Sequence, residues 1–267
     1  MESLIMSVFR KSFKKEDGTM KLVGLEILKT TMSEIVSKAD TYRKGGAQVP
    51  HVIMNLTHDN GQSIVADYIT SILYENKLRK FCGLDIFLEY RVDGSLRQMK
   101  QIFEDIASNA VYTNDYEGVV AADISALSEF INEFQIDYFV EHIGLVARNA
   151  TVIVYYDASL GQRIQIVKER VRKAIGNCID VPVTPYSQKE YSEIVVQNIL
   201  ERGIEVDVGD DLENVLCRVV DTYHVTSAKQ AVAVAEDLAF CADYSRFIPK
   251  IDSQMVSEYF GKGKVCF

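Results

Sequence analysis

Short apolar runs alternate with stretches of helical periodicity through the first two thirds of this chain. The runs that predict strands lie at residues 51–56, 85–90, 118–122, 150–156 and 178–183. Apolar residues recur at helical spacing in the intervening residues 64–80, 95–110, about 125–146 and 160–176. Strands alternating with helices predict an α/β fold, in which a parallel sheet carries helices on both faces. The ligand crevice of such a sheet lies beyond the carboxyl ends of its strands.

The pattern changes after Pro185, where helix follows helix without an intervening strand. The predicted helices cover residues 187–202, 210–223, 226–244 and 252–260. Ser187 and Glu190 have the spacing of a capping box, and Gly203 suits a helix end. The sequence therefore predicts three parts, which are an N-terminal arm at 1–21, an α/β core at 22–184 and a small helical lid at 185–267.

Charge and composition restrict the classes of partner and the compartment. The net charge of −9 disfavours general binding to nucleic acid or to an anionic membrane. Residues 1–21 hold a small excess of basic side chains, which we interpret as a solvated arm. Five scattered cysteines, no secretory signal pattern and no apolar stretch of membrane-spanning length predict a cytoplasmic protein.

The loop after the first strand resembles a phosphate-binding loop by its position and by part of its sequence. Such loops read G-x-x-x-x-G-K-[ST] and lead into a helix whose free N–H groups face an anion. Residues 56–63 read LTHDNGQS, so Gly61 and Ser63 match the pattern. Leu56 stands in place of the first glycine, and Gln62 stands in place of the lysine.

The two replacements have different physical consequences. Leu56 restricts a backbone that glycine would leave free. Gln62 lacks the positive charge that meets the β- and γ-phosphates. Asp59 adds a negative charge to the loop, and repulsion between two unit charges at about 4 Å costs roughly 1–4 kcal/mol. The sequence therefore predicts that tight binding of Mg-ATP has been lost.

The third predicted strand ends in an aspartate, as a magnesium-binding Walker B strand does. Asp123 is placed to accept a magnesium-bound water, but Ile124 follows where a glutamate usually polarises the attacking water. A hydrocarbon side chain cannot act as a general base. An alternative of equal weight is that Asp123 only caps the helix that follows.

Several segments, in order along residues 20–245, resemble the CbxX/CfqX-type AAA+ proteins, which include stage V sporulation protein K. The resembling segments are residues 22–36, 49–75, 118–127, 150–159, 186–206 and 226–238. The resemblance implies a P-loop NTPase-type sheet with a C-terminal helical lid, which is the AAA+ architecture. It also implies a module that usually forms a hexameric ring and uses ATP hydrolysis to remodel a partner.

The resemblance also implies roles for individual residues. Val23 and Gly24 would lie near the adenine, Lys229 would stand near the sensor-2 arginine, and Tyr156 or Asp157 would hold the sensor-1 position. Arg170 and Arg172 lie in the region of an arginine finger, although a charged helix face is the favoured interpretation of these residues, by about two to one. The candidate nucleotide-contacting residues are Val23, Gly24, Asn60, Gly61, Gln62, Ser63, Asp123 and Lys229.

Other reactive residues do not form a recognisable site in the sequence. His51, His58, His142 and His224 are scattered, so we expect no metal site. No Gly-x-Ser-x-Gly elbow is present to anchor a hydrolase triad.

Our leading hypothesis is an AAA+-like subunit with degenerate Walker A and Walker B motifs. It would not hydrolyse ATP, would require no cofactor, and would act as a structural or regulatory subunit through a protein partner or self-association in a ring or filament. The rival hypothesis is a weak or unusual ATPase that binds ATP or ADP with magnesium through the 56–63 loop and Asp123. A loader-like role on nucleic acid is a third hypothesis, which the acidic charge disfavours.

Overall fold

The computed structural model describes residues 22–79, 88–111, 118–128, 132–207 and 210–261. These residues form two compact units. The first unit is Leu25–Val183, and the second contains residues 22–24 together with the described residues from Thr184 onward. The predicted arm at 1–21 lies outside the described residues.

The first unit is built on a five-stranded parallel sheet. Its strands are β1 (His51–Asn55), β2 (Leu88–Arg91), β3 (Val119–Asp123), β4 (Thr151–Tyr156) and β5 (Cys178–Val181). Their spatial order is β2-β3-β4-β1-β5, and every neighbouring pair is parallel. Every residue of β3 is buried, as are nearly all residues of β1 and β4, because helices cover both faces of the sheet.

The described residues of this unit also form six helices. They are α1 (Glu26–Ser37), α2 (Ala39–Gly45), α3 (Gln62–Glu75), α4 (Leu96–Val111), α5 (Glu133–Val146) and α6 (Gln162–Ile175). Three short 3-10 turns lie at His58–Asn60, Ser125–Ser128 and Ala158–Leu160. Branched and aromatic side chains from α4, α5 and α6 pack with β3 and β4 into one apolar cluster, including Ile106, Phe139 and Val171.

Two predicted helix boundaries in this unit were wrong. The helix predicted for 64–80 begins at Gln62 and ends at Glu75, because the backbone of Lys77 turns into the left-handed region at φ 55°. The single helix predicted for 125–146 is a 3-10 turn followed by α5, which begins after Asn132. Asn132 and Gln135 form a reciprocal capping box that fixes this new start.

The described limits of the strands agree with the predicted limits to within one or two residues. The strand predicted for 178–183 ends at Val181, and the described part of the strand predicted for 85–90 begins at Leu88. Residues 85–87 lie outside the part of the chain that the structure describes. The predicted α/β sheet with helices on both faces is confirmed.

The second unit is mainly helical. Its helices are α7 (Gln188–Glu201), α8 (Asp210–Thr222), α9 (Ala228–Ala239) and α10 (Ser253–Gly261). The predicted capping box at the start of α7 is confirmed, since the Ser187 hydroxyl accepts from Glu190 N and the Glu190 carboxylate accepts from Ser187 N. A cluster of branched residues from all four helices forms this unit's own core.

The second unit also contains features that the sequence pattern did not predict. The helix predicted for 226–244 ends at Ala239. Two-residue strands β6 (Glu205–Val206) and β7 (Lys250–Ile251) pair in parallel. A strand of two residues shows no alternation of apolar and polar side chains, so periodicity could not reveal this pair.

Within the described ranges, no helix is both long enough and apolar enough to cross a lipid bilayer.

Candidate functional site at the carboxyl edge of the sheet

The loop between β1 and α3 is short and closes on itself. Leu56 is buried, and a 3-10 turn at His58–Asn60 follows it. The side-chain amide of Asn60 donates to Thr57 Oγ1 at 2.6 Å, which binds the end of the turn to its beginning. Gly61 then adopts φ 86°, a conformation that glycine takes without strain, and opens α3. The sequence prediction that Gly61 and Ser63 begin a helix directly after a central strand is therefore met in the geometry.

Gln62 is buried at the first position of α3, with 2% of its surface exposed. Its side-chain nitrogen Nε2 donates to Leu56 O at 2.6 Å and to Asp123 Oδ2 at 2.9 Å. These two contacts use both N–H groups of the amide. At the position where the phosphate-loop pattern has lysine, Gln62 is thus a neutral side chain that bonds both to the loop and to the end of β3.

Asp123 is the last residue of β3 and is 7% exposed. Its Oδ2 accepts from Gln62, while its Oδ1 accepts from the backbone nitrogen of Ser125 at 2.9 Å and from the Ser125 hydroxyl at 2.6 Å. Ile124 is fully buried among apolar residues. The carboxylate therefore stabilises the 3-10 turn after β3, as its interpretation as a cap suggested, and it also accepts from Gln62.

Tyr155 is a further member of this cluster that the sequence reasoning missed. It lies in β4 beside Asp123, is buried, and donates from its hydroxyl to Gln62 O at 2.9 Å. Burial raises the pKa of the phenol well above its usual value, and the negative charges of Glu89 and Asp123 raise it further. The phenol therefore stays protonated and acts as a donor. The two adjacent tyrosines at the end of the run of residues 150–156 were the available signal.

The backbone and side chains that follow β4 form hydrogen bonds with neighbouring residues. Asp157 Oδ1 accepts from Ser159 N at 2.8 Å, which caps the 3-10 turn that follows. Asn55 Oδ1, at the end of β1, accepts from Ala158 N at 2.9 Å. Tyr156 packs against the apolar cluster. The bond to Asn55 thus joins the carboxyl end of β1 to the turn that follows β4.

Both arginines considered as finger residues form ion pairs within the first unit. Arg170 on α6 contacts Glu133 Oε2 at 2.7 Å and also pairs with Asp137 on α5. Arg172 pairs with Asp180 on β5. These contacts agree with the interpretation of residues 169–173 as a charged helix face.

The remaining candidates lie in the second unit. Gly24 has φ 61°, a conformation in which other residues are strained, and a Cβ built on it would lie 2.3 Å from Glu190 Oε1 and displace that carboxylate. Val23 beside it is buried, and Lys229 is exposed in the first turn of α9. The structure brings Gln62, Asp123 and Tyr155 together, and it places Asn60, Gly61 and Ser63 on the same loop and helix start.

The chemical character of the cluster at the carboxyl edge is that of a neutral donor network around one carboxylate. Gln62 and Ser125 donate to the carboxylate of Asp123, and Tyr155 donates to the backbone carbonyl of Gln62. In the part of the chain that the structure describes, no group of three or more His, Cys, Asp or Glu side chains is arranged to hold a metal ion.

No protein-family model matches this chain, and no curated protein sequence matches it. Solved structures, in contrast, share its fold. The Holliday junction branch migration motor RuvB from Thermotoga maritima is 16% identical, covers 90% of this chain and 70% of its own, and superposes with a TM-score of 0.56.

Two other solved structures show the same likeness. Domain III of the Thermotoga maritima replication initiation protein DnaA is 10% identical, covers 90% of this chain and 94% of its own, and gives a TM-score of 0.54. PCH-2 from C. elegans is 10% identical, covers 97% of this chain and 72% of its own, and gives 0.56. The chain therefore has the AAA+ P-loop NTPase fold.

Proposed function

We propose that this chain is a non-hydrolysing AAA+-like subunit that acts through association with protein. The observation that carries the proposal is the buried amide of Gln62, which occupies the position of the phosphate-binding lysine and bonds directly to Asp123. The two positions that would hold the phosphates and the magnesium thus bond to each other.

Three physical arguments support the loss of nucleotide chemistry. Gln62 carries no charge, and both of its donors are engaged with Leu56 O and Asp123. Asp123 would lose its contacts with Gln62 and Ser125 in turning toward an ion. Ile124 offers no group that could activate water. The residues at this edge therefore do not fit a magnesium nucleotide.

The narrower resemblance to CbxX/CfqX proteins is part of this proposal. A member of that family that has lost hydrolysis could keep the fold for assembly with copies of itself or with an active AAA+ partner. RuvB is described as a Holliday junction branch migration motor and DnaA as a replication initiation protein. The net charge of −9 argues against carrying a nucleic-acid role to this chain.

A weak ATPase is the second candidate, and one observation favours it. The first turn of α3 has no side-chain cap, and Gly61 leaves its N–H groups at the edge of the sheet in the manner of an anion-binding helix start. Backbone donors, Ser63 and a basic residue from a neighbouring subunit would then replace the missing lysine.

Titration calorimetry with Mg-ATP and Mg-ADP separates the two candidates. We expect no binding by the parent chain at micromolar nucleotide. The variant Gln62→Lys alone should gain little, since Leu56 still restricts the loop. Gln62→Lys with Leu56→Gly should gain binding, although the loss of buried Leu56 costs roughly 3 kcal/mol of stability, so its thermal unfolding must be recorded as well.

Gln62→Met is the matched control, because it fills the same space without a positive charge. Micromolar binding of Mg-ATP by the parent, together with turnover that Asp123→Ala abolishes, would contradict the proposal and establish the weak ATPase.

A further inference from the structure

A turn in the second unit presents an aromatic surface to solvent. We call residues 240–248, between α9 and β7, the aromatic turn. Phe240 is 79% exposed, Tyr244 61%, Ile248 45%, and Phe247 is fully exposed. Single exposed apolar residues are common on protein surfaces, but four large ones within nine residues form a patch of the kind that marks an interaction site.

The aromatic turn is held by bonds within the second unit. Asp243 Oδ1 accepts from Ser245 N at 3.0 Å, and Asp243 Oδ2 accepts from Arg246 Nε at 3.1 Å. The hydroxyl of Tyr244 donates to Ala239 O at 2.8 Å. Because Arg246 already pairs with Asp243, the turn itself offers an apolar rather than a basic surface, and its order limits the entropy lost on binding.

Carboxylates border the aromatic turn at both of its ends. Asp237 lies in the last turn of α9, where its carbonyl accepts from Phe240 N at 3.1 Å. Glu205 lies beside the other end, because its backbone nitrogen donates to Pro249 O at 2.8 Å, and its side chain is exposed. Neither carboxylate forms an ion pair with another residue in the part of the chain that the structure describes. The neighbouring carboxylates that do form ion pairs are Asp207, Glu236 and Asp243.

The N-terminal arm at residues 1–21 has the chemistry that complements this surface. Its apolar residues recur at helical spacing, and its basic residues fall mainly on the opposite side of the same helical period. The apolar set is Leu4, Ile5, Val8, Phe9 and Phe13, and the basic set is Arg10, Lys11, Lys14 and Lys15. The pattern therefore predicts a segment with one apolar face bordered by positive charge.

The arm is attached to the same unit as the aromatic turn. Leu22 and Val23, which follow the arm, are buried, and Gly24 lies against Glu190 in the first turn of α7. A segment tethered in this way meets a neighbouring surface at an effective concentration in the roughly millimolar range. The tether therefore favours the arm over a second copy of the chain at ordinary protein concentrations.

The arm is also long enough to reach the turn. Arg202, just after α7, pairs with Glu236 near the end of α9 at 2.8 Å, so the aromatic turn lies toward the opposite end of α7 from Gly24. The 14 residues of α7 give it a length of about 21 Å. The stretch from Phe13 to Leu22 spans up to roughly 30 Å when extended.

We propose that residues 4–15 of the arm cover the aromatic turn of the same chain. The apolar face packs over Phe247 and Tyr244, and Arg10 and Lys15, which border that face, approach the carboxylates at the two ends of the turn. This contact replaces the interpretation of residues 1–21 as a solvated arm. The aromatic turn then becomes accessible to another protein only when the arm leaves it. The inference is independent of the proposed function, because it involves no nucleotide.

A tryptophan reporter tests the contact in the full chain. The chain contains no tryptophan, so a single introduced one reports only on its own surroundings. Phe247→Trp places it at the centre of the aromatic turn, and Phe134→Trp is the matched control, because Phe134 is 66% exposed on α5 of the first unit. We expect acrylamide to quench the fluorescence of Phe247→Trp several-fold less efficiently than that of Phe134→Trp.

Variants of the arm identify what covers the reporter. Phe9→Ser with Phe13→Ser should weaken the contact by about tenfold or more, as truncation of buried aromatic anchors does, and should raise the quenching of Phe247→Trp to that of the control. Phe9→Leu with Phe13→Leu keeps the apolar face and should keep most of the protection. Neither pair of substitutions should alter the quenching of Phe134→Trp.

Three results would overturn the proposal. In the first, Phe247→Trp is quenched as efficiently as Phe134→Trp, so nothing covers the turn. In the second, the protection survives Phe9→Ser with Phe13→Ser, so another segment covers it. In the third, the protection grows with protein concentration, so a second copy of the chain is the occupant.

Discussion

A buried, uncharged polar side chain lies near each end of β1, and each one forms hydrogen bonds to protein atoms. At the amino end, His51 is fully buried, and its Nδ1 accepts from Val152 N at 2.9 Å. Beyond the carboxyl end, Gln62 is equally buried and donates to Leu56 O and Asp123. In an α/β sheet, ligand chemistry is expected at the carboxyl end alone. Here both ends hold a neutral side chain that joins β1 to its surroundings.

The partners at the two ends differ. His51 meets a backbone N–H, whereas Gln62 meets the carboxylate of Asp123. Each network has one charged side chain nearby, since the positive charge of Arg79 acts on His51, whereas the carboxylate of Asp123 bonds directly to Gln62. At the carboxyl end, the charged side chain is therefore part of the hydrogen-bond network itself.

The largest expected effect is a loss of stability as the pH falls, caused by His51 at the amino end of β1. Burial lowers the pKa of His51 from 6.5 to about 4, and the positive charge of Arg79 contributes to this lowering. The unfolded chain binds this proton below about pH 6.5, but the folded chain binds it only near pH 4. The contribution to stability is therefore complete above pH 6.5 and is lost as the pH falls through this window.

Each pKa unit corresponds to about 1.4 kcal/mol, so full titration removes about 3 kcal/mol of the free energy of unfolding. Urea denaturation between pH 7.5 and 4 measures this loss. His51→Asn keeps an acceptor for Val152 N but does not titrate, so its stability should fall less steeply. If the free energy of unfolding fell equally steeply with pH in the variant and the parent, His51 would not be held neutral by the fold.

The next effect concerns the carboxyl end at neutral pH. Gln62→Met removes both donors and leaves the buried Asp123 carboxylate with one bond fewer. The expected loss is about 2 kcal/mol, the cost of leaving buried acceptors unsatisfied. Denaturant midpoints measure it, and Gln62→Lys, which can still donate to Asp123, should lose less. A Gln62→Met variant as stable as the parent would show that water reaches Asp123.

The smallest effect concerns a charged group outside both buried networks. Arg170 bridges α5 and α6 through Glu133 and Asp137 at the surface. Arg170→Ala should cost less than about 1 kcal/mol, and the cost should shrink in high salt, because solvent screens exposed ion pairs. If Arg170→Ala lost more stability than Gln62→Met, the surface ion pairs would matter more than the buried network at the carboxyl end, contrary to expectation.

The sheet was predictable because its strands are buried on both faces and are separated by helices of regular period. The two errors in the first unit arose from local chemistry at Lys77 and Asn132, where a left-handed turn and a capping box overrode an apolar pattern that continued past them. Periodicity measures which face is buried, and it does not detect where the backbone hydrogen bonding stops.

The candidate site was predictable in position but only partly in its contacts. The motif spacing placed Gln62 and Asp123 at the ends of two strands. It did not predict that the two side chains bond to each other, or that Tyr155 donates to Gln62 O, because such contacts depend on the order in which β3, β4 and β1 lie in the sheet. Tyr155 is 93 residues from Gln62 in the sequence, and no local pattern connects them.

The side-chain amide of Gln62 reports most directly on the central claim that this position is closed by protein atoms. In a proton–nitrogen NMR spectrum, Gln62→Lys identifies its resonances by their absence. Because both N–H groups bond to protein atoms, we expect these resonances to exchange slowly with water and to keep their positions when Mg-ATP is added. Resonances that exchange rapidly, or that shift and saturate at micromolar Mg-ATP, would show that Gln62 releases Asp123 to a nucleotide and would contradict the account.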